Sequence, residues 1–209
     1  AGTTHGLLLA LQADNGTVAW LASGSNASNS SINAVATDGA RVYALGVHKG
    51  VSYAFGSSAD AAILTLATSG TSLSADVLAA STTGTLTWTQ AVANPGSDNI
   101  AALGLACSSN ALFIAGSTHN ASTFPGSLVV SPTGNPHDYG YLAKLTKSAG
   151  LTRWVRAFNS PAGHDHDQVG RDLAVDGNGD IVLVGTYDEN IQFPDGTQLS
   201  GKADLQVFI

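Results

Sequence analysis

The sequence predicts an all-β fold made of repeated four-stranded units, and three sets of markers predict it. Gly, three residues and then Trp occurs at Gly16 to Trp20, Gly84 to Trp88 and Gly150 to Trp154, with the Trp residues 68 and 66 positions apart. An apolar run ending in Gly occurs at Val42 to Gly46, Leu112 to Gly116 and Ile181 to Gly185, at spacings of 70 and 69. An aromatic residue ahead of turn formers, at Phe55, Phe124 and Phe193, recurs at 69 both times. Three markers in one order at one period define a structural repeat.

The elements follow in order. His5 to Ala13 and Tyr139 to Thr146 are short apolar-rich runs, each stopped by a turn cluster, Asp14-Asn15-Gly16 and Lys147 to Gly150, and each leads through a hairpin to the Trp strand. Ile32 to Thr37 and Arg41 to Gly46 form the next pair across Asp38-Gly39. Their counterparts are Leu103 to Cys107 with Ala111 to Gly116, and Asp172 to Asp176 with Asp180 to Gly185. No window of a dozen residues carries the 3.6-residue apolar period of an amphipathic helix. Four short antiparallel strands every 69 residues or so match the blade of a β-propeller, whose neighbouring blades bury one another's faces. Trp20, Trp88 and Trp154, with Phe55, Phe124 and Phe193, are then expected as the packing core of the repeat, the three Trp residues largely buried.

The repeats divide the chain into residues 1–59, 60–137 and 138–203, and residues 204–209 open a further one. The second repeat has 28 residues from Asp60 to Trp88 where the third has 16 from Asp138 to Trp154. An insertion is therefore expected at Thr68 to Ser81, extending a hairpin on one rim, where loops on a rigid scaffold commonly bind partners. Three blades are fewer than the 4 to 8 of closed propellers. An incomplete ring is expected, completed by the remainder of a longer chain or by neighbouring subunits.

Composition narrows the function classes. Charged residues are 11% of the 209, and 8 Lys and Arg stand against 15 Asp and Glu for a net charge of −7. With no basic stripe, a nucleic-acid partner is not expected, and no apolar stretch reaches the 18 to 20 residues or so of a spanning helix. The single Cys107 excludes an internal disulfide framework, and its expected state is that of a buried thiol.

The run Asp138-Tyr-Gly-Tyr-Leu-Ala-Lys-Leu145, then Gly150 and Trp154, Asp172 to Gly185, Gln192-Phe-Pro194 and Asp204 to Phe208, resembles the bacterial-type β-propeller repeat called SBBP. The resemblance spans nearly the whole chain, is best in the third repeat and loosest in the second, and implies a propeller of secreted or cell-surface proteins with no shared catalytic residues. The first repeat is also similar to the quinoprotein-type repeat at Ala10, Gly16 and Trp20, but departs from it at Gln12 and Asn15.

Candidate chemistry is sparse. His164 and His166 lie two apart in His-Asp-His-Asp, on one face if extended, and imidazole with carboxylate can hold zinc or copper. A solvated loop explains the same tract. Asp176, Asn178 and Asp180 match the oxygen-rich start of a calcium loop. The distal bidentate Glu is missing, since Glu189 is the only Glu, and the same position holds plain turns in the other repeats. Glycosylation sequons start at Asn15, Asn26, Asn29 and Asn120. No nucleophile elbow, phosphate loop or zinc-protease helix is present. The expected role is a non-enzymatic extracellular or cell-surface scaffold or adhesion module that binds protein or glycan through blade loops and carries no organic cofactor. The alternative is a propeller-type enzyme, a quinoprotein-like oxidoreductase or a glycan hydrolase.

Overall fold

The computed structural model describes residues 6–25, 29–49, 54–56, 73–83, 86–92, 100–130, 138–161 and 167–209. The described residues form sixteen strands and no helix, and none of their segments is a helix long and apolar enough to cross a membrane. Four antiparallel sheets hold most of them. The first pairs β1 (Leu7–Leu11), β2 (Val18–Ser25) and β5 (Ala54–Gly56) in the order β1-β2-β5. The second runs β3 (Asn29–Thr37), β4 (Arg41–Lys49), β6 (Leu73–Ser81), β7 (Leu86–Val92). The third runs β8 (Ile100–Cys107), β9 (Ala111–Thr118), β12 (Tyr139–Thr146), β13 (Thr152–Phe158). The fourth runs β14 (Gln168–Val175), β15 (Ile181–Gln192), β16 (Gln198–Phe208), and β10 (Ser122–Phe124) with β11 (Leu128–Val130) makes a small separate hairpin.

Each four-stranded sheet takes its first two strands from one repeat and its last two from the next, so the sheets straddle the sequence marks at 60 and 138. One expectation is corrected here. Within the expected insertion at Thr68 to Ser81, Leu73–Ser81 is the third strand of the second sheet rather than part of a rim hairpin, paired with both β4 and β7, with Val77 and Ala79 fully buried. Residues 68–72 lie outside the described residues. Ala79 pairs with Trp88 as Lys144 pairs with Trp154 and Ala10 with Trp20, so register identifies β6 as the counterpart of β12.

The sheets stack face to face in chain order. Leu8 and Ala22 of the first meet Ala44 and Leu78 of the second. Tyr43, Leu45 and Val77 meet Leu112, Ile114 and Tyr141 of the third on the other side. Phe113 and Ala115 pack against Leu173 of the fourth. β9 is therefore covered on both faces and reads as a continuous apolar run with every residue buried. Beyond it, Phe158, Tyr187, Ile191 and Phe208 close an aromatic cluster, with the Phe158 and Phe208 rings edge to face at 5.5 Å.

Two β-bulges repeat with the period. On the first strand of the second, third and fourth sheets Asn33, Leu103 and Arg171 are each the extra residue. On the Trp strand it is Ala19, Thr87 and Arg153. The first bulge explains the glycine that ends the apolar run. A Cβ on Gly46 would overlap the Ser31 carbonyl oxygen, on Gly116 that of Ala101, and on Gly185 that of Val169. The bulged strand bends toward its partner there, and only hydrogen fits.

Gly116→Ala should therefore lower stability by about 3 kcal/mol. The exposed turn residue Gly177, whose added Cβ meets nothing within 4 Å, should tolerate Ala within about 0.5 kcal/mol. Urea denaturation of the two variants checks this, and equal effects would remove the bulge from the account.

Candidate functional site

Turns at one end of the stack bring the polar side chains of distant segments together. In the hairpin Asp38 to Arg41 the Asp38 Oδ1 accepts the backbone N–H groups of Ala40 and Arg41 at 3.0 and 2.8 Å. Ser108 Oγ accepts those of Asn110 and Ala111, and Asp176 Oδ1 those of Asn178 and Asp180, both at 2.8 Å. Three different sequences thus make one turn, each with a side-chain oxygen folded back on its own backbone. The Asp176 carboxylate is engaged inside its turn, with Asn178 and Asp180 each donating a backbone N–H to it. Among the described residues no group of three or more His, Cys, Asp or Glu side chains is placed to hold a metal. His164 and His166 lie outside the described residues.

Lys147, in the turn between β12 and β13, locks the seam between the second and third sheets. Its ammonium forms an ion pair with Asp38 and donates to the Ser108 and Ser109 carbonyls at 3.2 and 3.3 Å. Its own carbonyl accepts Arg41 Nη1 at 3.1 Å and the Trp88 indole N–H at 3.0 Å. Tyr43 Oη donates to Asp38 Oδ2 at 3.0 Å, and Cys107 Sγ to the Thr37 carbonyl at 3.1 Å. The Lys147 ammonium holds the Asp38 carboxyl well below the usual carboxylate range, helped by the Arg41 and Ala40 N–H groups and opposed by burial. Burial, then the hydrogen bond to Asp38, pushes the Tyr43 phenol up to about 12. Cys107 is half-buried where a buried thiol was expected, and the burial it has pushes its thiol up.

The Trp residues belong to these seams, each partly buried and packed against a core cluster. Trp20 donates its indole N–H to the Thr82 carbonyl at 2.8 Å as Trp88 does to Lys147, each reaching the corresponding turn of the next sheet. Trp154 tilts against Phe113 at 6.2 Å. The Trp20 and Trp88 rings stay at the seam margin because their polar edges reach that turn. Phe124 is buried edge to face on Tyr141 at 5.1 Å, and Phe193 joins the aromatic cluster of the fourth sheet. The Phe55 side chain lies outside the described residues.

At the seam between the third and fourth sheets the corresponding turns leave a groove of about 470 Å³. Cys107 to Asn110 line one wall, Asp176 to Gly179 the other, with Phe113 and Lys144 between them. Lys144 Nζ lies 5.5 Å from the Phe113 ring centre. The groove presents turn backbone and amide groups suited to hydrogen bonding. At the other end of these sheets His119 Nδ1 lies 3.1 Å from Asp138 Oδ1, and the Asp138 N–H donates to Asp167.

Of the sequon residues, Asn15 is exposed and accepts the Thr17 N–H at 2.9 Å. Asn120 is half-buried, and the Ser122 of its sequon is fully buried against Thr118 at 2.7 Å. Asn29 begins β3 with its side chain outside the described residues, as is all of Asn26. No protein-family model and no curated protein sequence matches the chain.

The Asp38–Lys147 pair gives a pH test. Because folding lowers the Asp38 pKa, its contribution is full above the ordinary value of 3.8 and is lost as pH falls through the lower folded value. Asp38→Asn should cost about 2 kcal/mol at pH 7. Urea midpoints from pH 7 to pH 2 should show a constant gap from wild type down to about pH 5, closing below pH 4; a gap that stays constant to pH 2 would contradict the pairing.

Proposed function

We propose that the chain is a run of β-propeller blades serving as a non-enzymatic extracellular or cell-surface scaffold, with protein or glycan bound at its rims. The observation that carries the reading is the order of the stack. Successive sheets cover one another in chain sequence, and their first strands lie side by side: Asn33 Nδ2 of β3 donates to the Ala102 carbonyl of β8, and Gly104 of β8 abuts Asp172 of β14. In the second and third sheets the first strand stands at one edge and the Trp strand at the other, which supports reading them as blades around an axis. The faces are then occupied by inter-sheet packing, which leaves turn rims and the axis for partners. The groove between the turns at 107–110 and 176–179 is the contact point favoured by its depth and its hydrogen-bonding walls. The extracellular placement rests on the family resemblance and the Ser, Thr and Gly-rich composition.

Binding by the purified chain to an array of neutral oligosaccharides and immobilised surface proteins tests the reading. Retention of at least one class is expected, falling less than about twofold from 50 to 500 mM salt because few charges steer it, and falling at least tenfold in Asn178→Arg, which fills the groove. Turnover of aryl glycosides, or quinone-dependent oxidation of alcohols, would overturn it.

A further inference from the structure

The two ends of the stack carry matching apolar faces, and we propose that they pair head to tail between two copies of this chain, closing a two-fold ring. Nine of the thirteen exposed large apolar side chains among the described residues lie on these two faces. On the first sheet they are Leu7, Leu9, Leu11, Val18 and Leu21, between 44% and 60% exposed. All five point away from the second sheet: Leu7, Leu9, Leu11 and Leu21 have opposite parity to Leu8 and Ala22, which meet it, and Val18 joins them because the Ala19 bulge resets its parity and pairs it with Leu11. On the fourth sheet they are Val182, Leu205, Val207 and Ile209, between 47% and 90% exposed, on the side away from Leu173 and Leu183.

The internal junctions show what covers such faces. Aligned on the Trp register, Leu7, Leu9 and Leu11 correspond to Tyr141, Ala143 and Leu145 of the third sheet. Those three are fully buried, against the second sheet. Val182 corresponds to Tyr43 and Phe113, the residues with which the second and third sheets meet their successors. Each internal junction therefore joins the face type left open on the fourth sheet to the type left open on the first. A second copy supplies both missing halves at once, by continuing an interface the chain already makes three times. The fourth-sheet face also carries Asp172 and Asp188, and the strands of the first sheet carry no charge to oppose them; apolar patches of this kind mark interaction surfaces. A head-to-tail contact that closes on itself makes a ring. Two copies bring eight sheets, within the four to eight that such rings use.

The inference rests on the stacking and not on what the rims bind, so failure of the oligosaccharide and surface-protein test leaves it standing. Light scattering behind size exclusion tests it on the whole chain at 10 and 100 μM. Wild type should have twice the 21.0 kDa of one copy. Leu9→Glu and Val207→Glu should each be monomeric, since either change spoils both junctions of a ring. Val129→Glu, at an exposed apolar site on neither face, should remain dimeric. Mixing the two monomeric variants should restore a one-to-one dimer, because one copy keeps an intact first sheet and the other an intact fourth. Circular dichroism matching wild type shows that the variants are folded. A monomeric wild type at both concentrations, a Leu9→Glu dimer, or no recovery on mixing would overturn the proposal, the first of these leaving the faces to further repeats of the same polypeptide.

Discussion

The fold depends on a steric constraint at three glycines. At Gly46, Gly116 and Gly185 a carbonyl of the bulged first strand occupies the space a side chain would fill. The register of each first hairpin follows, since a slip of one residue would drive a Cβ into that carbonyl and turn every side chain to the wrong face. The bulge also resets parity. Ala102 and Leu105, three residues apart on β8, both face the second sheet because Leu103 is the extra residue between them. One face of β9 can then present Leu112 and Ile114 backward while Phe113 and Ala115 point forward, and stacking in series becomes possible.

Seams between sheets are held by a second layer of interactions, from side chains to backbone. The Trp20 and Trp88 indoles each reach a turn carbonyl of the following sheet, and Lys147 gathers Asp38, Ser108 and Ser109 around its ammonium. These bonds satisfy turn carbonyls that the sheets cannot. They also define a filled seam and an open one: Lys147 occupies the first, and the groove beside Phe113 and Lys144 marks the second. A ligand there would meet surroundings like those that Lys147 meets at the first seam.

Much of this was legible in the chain. The three markers located the Trp strands, the glycine at the end of each apolar run and the tight turns, because each reflects a local requirement that repeats. What could not be read was pairing over distance. The strand at Leu73–Ser81 carries Ser74 and Asp76 where Tyr139–Thr146 has Tyr139 and Tyr141, so aligning Asp60 with Asp138 made a sheet strand look like an insertion. The bonds made by the Trp20 and Trp88 N–H groups were also hidden, since the accepting carbonyls lie 62 and 59 positions away. The Asp38–Lys147 pair, more than a hundred residues apart, left no trace in spacing. One wall of the groove, Asp176 to Gly179, drew notice in the chain as a calcium-loop start, but the other, Cys107 to Asn110, carries no motif, so the groove itself was not announced.

The central claim is that the cooperative unit is the sheet that straddles two repeats, not the repeat that the sequence markers delimit. Hydrogen exchange followed by mass spectrometry at increasing urea tests it most directly. Peptides covering 100–107, 111–118, 139–146 and 152–158 should lose protection together, as one opening unit, although the repeat boundary at 138 falls between them. Loss of 139–158 together with 168–192, while 100–118 keeps its protection or opens with 73–92, would contradict the account.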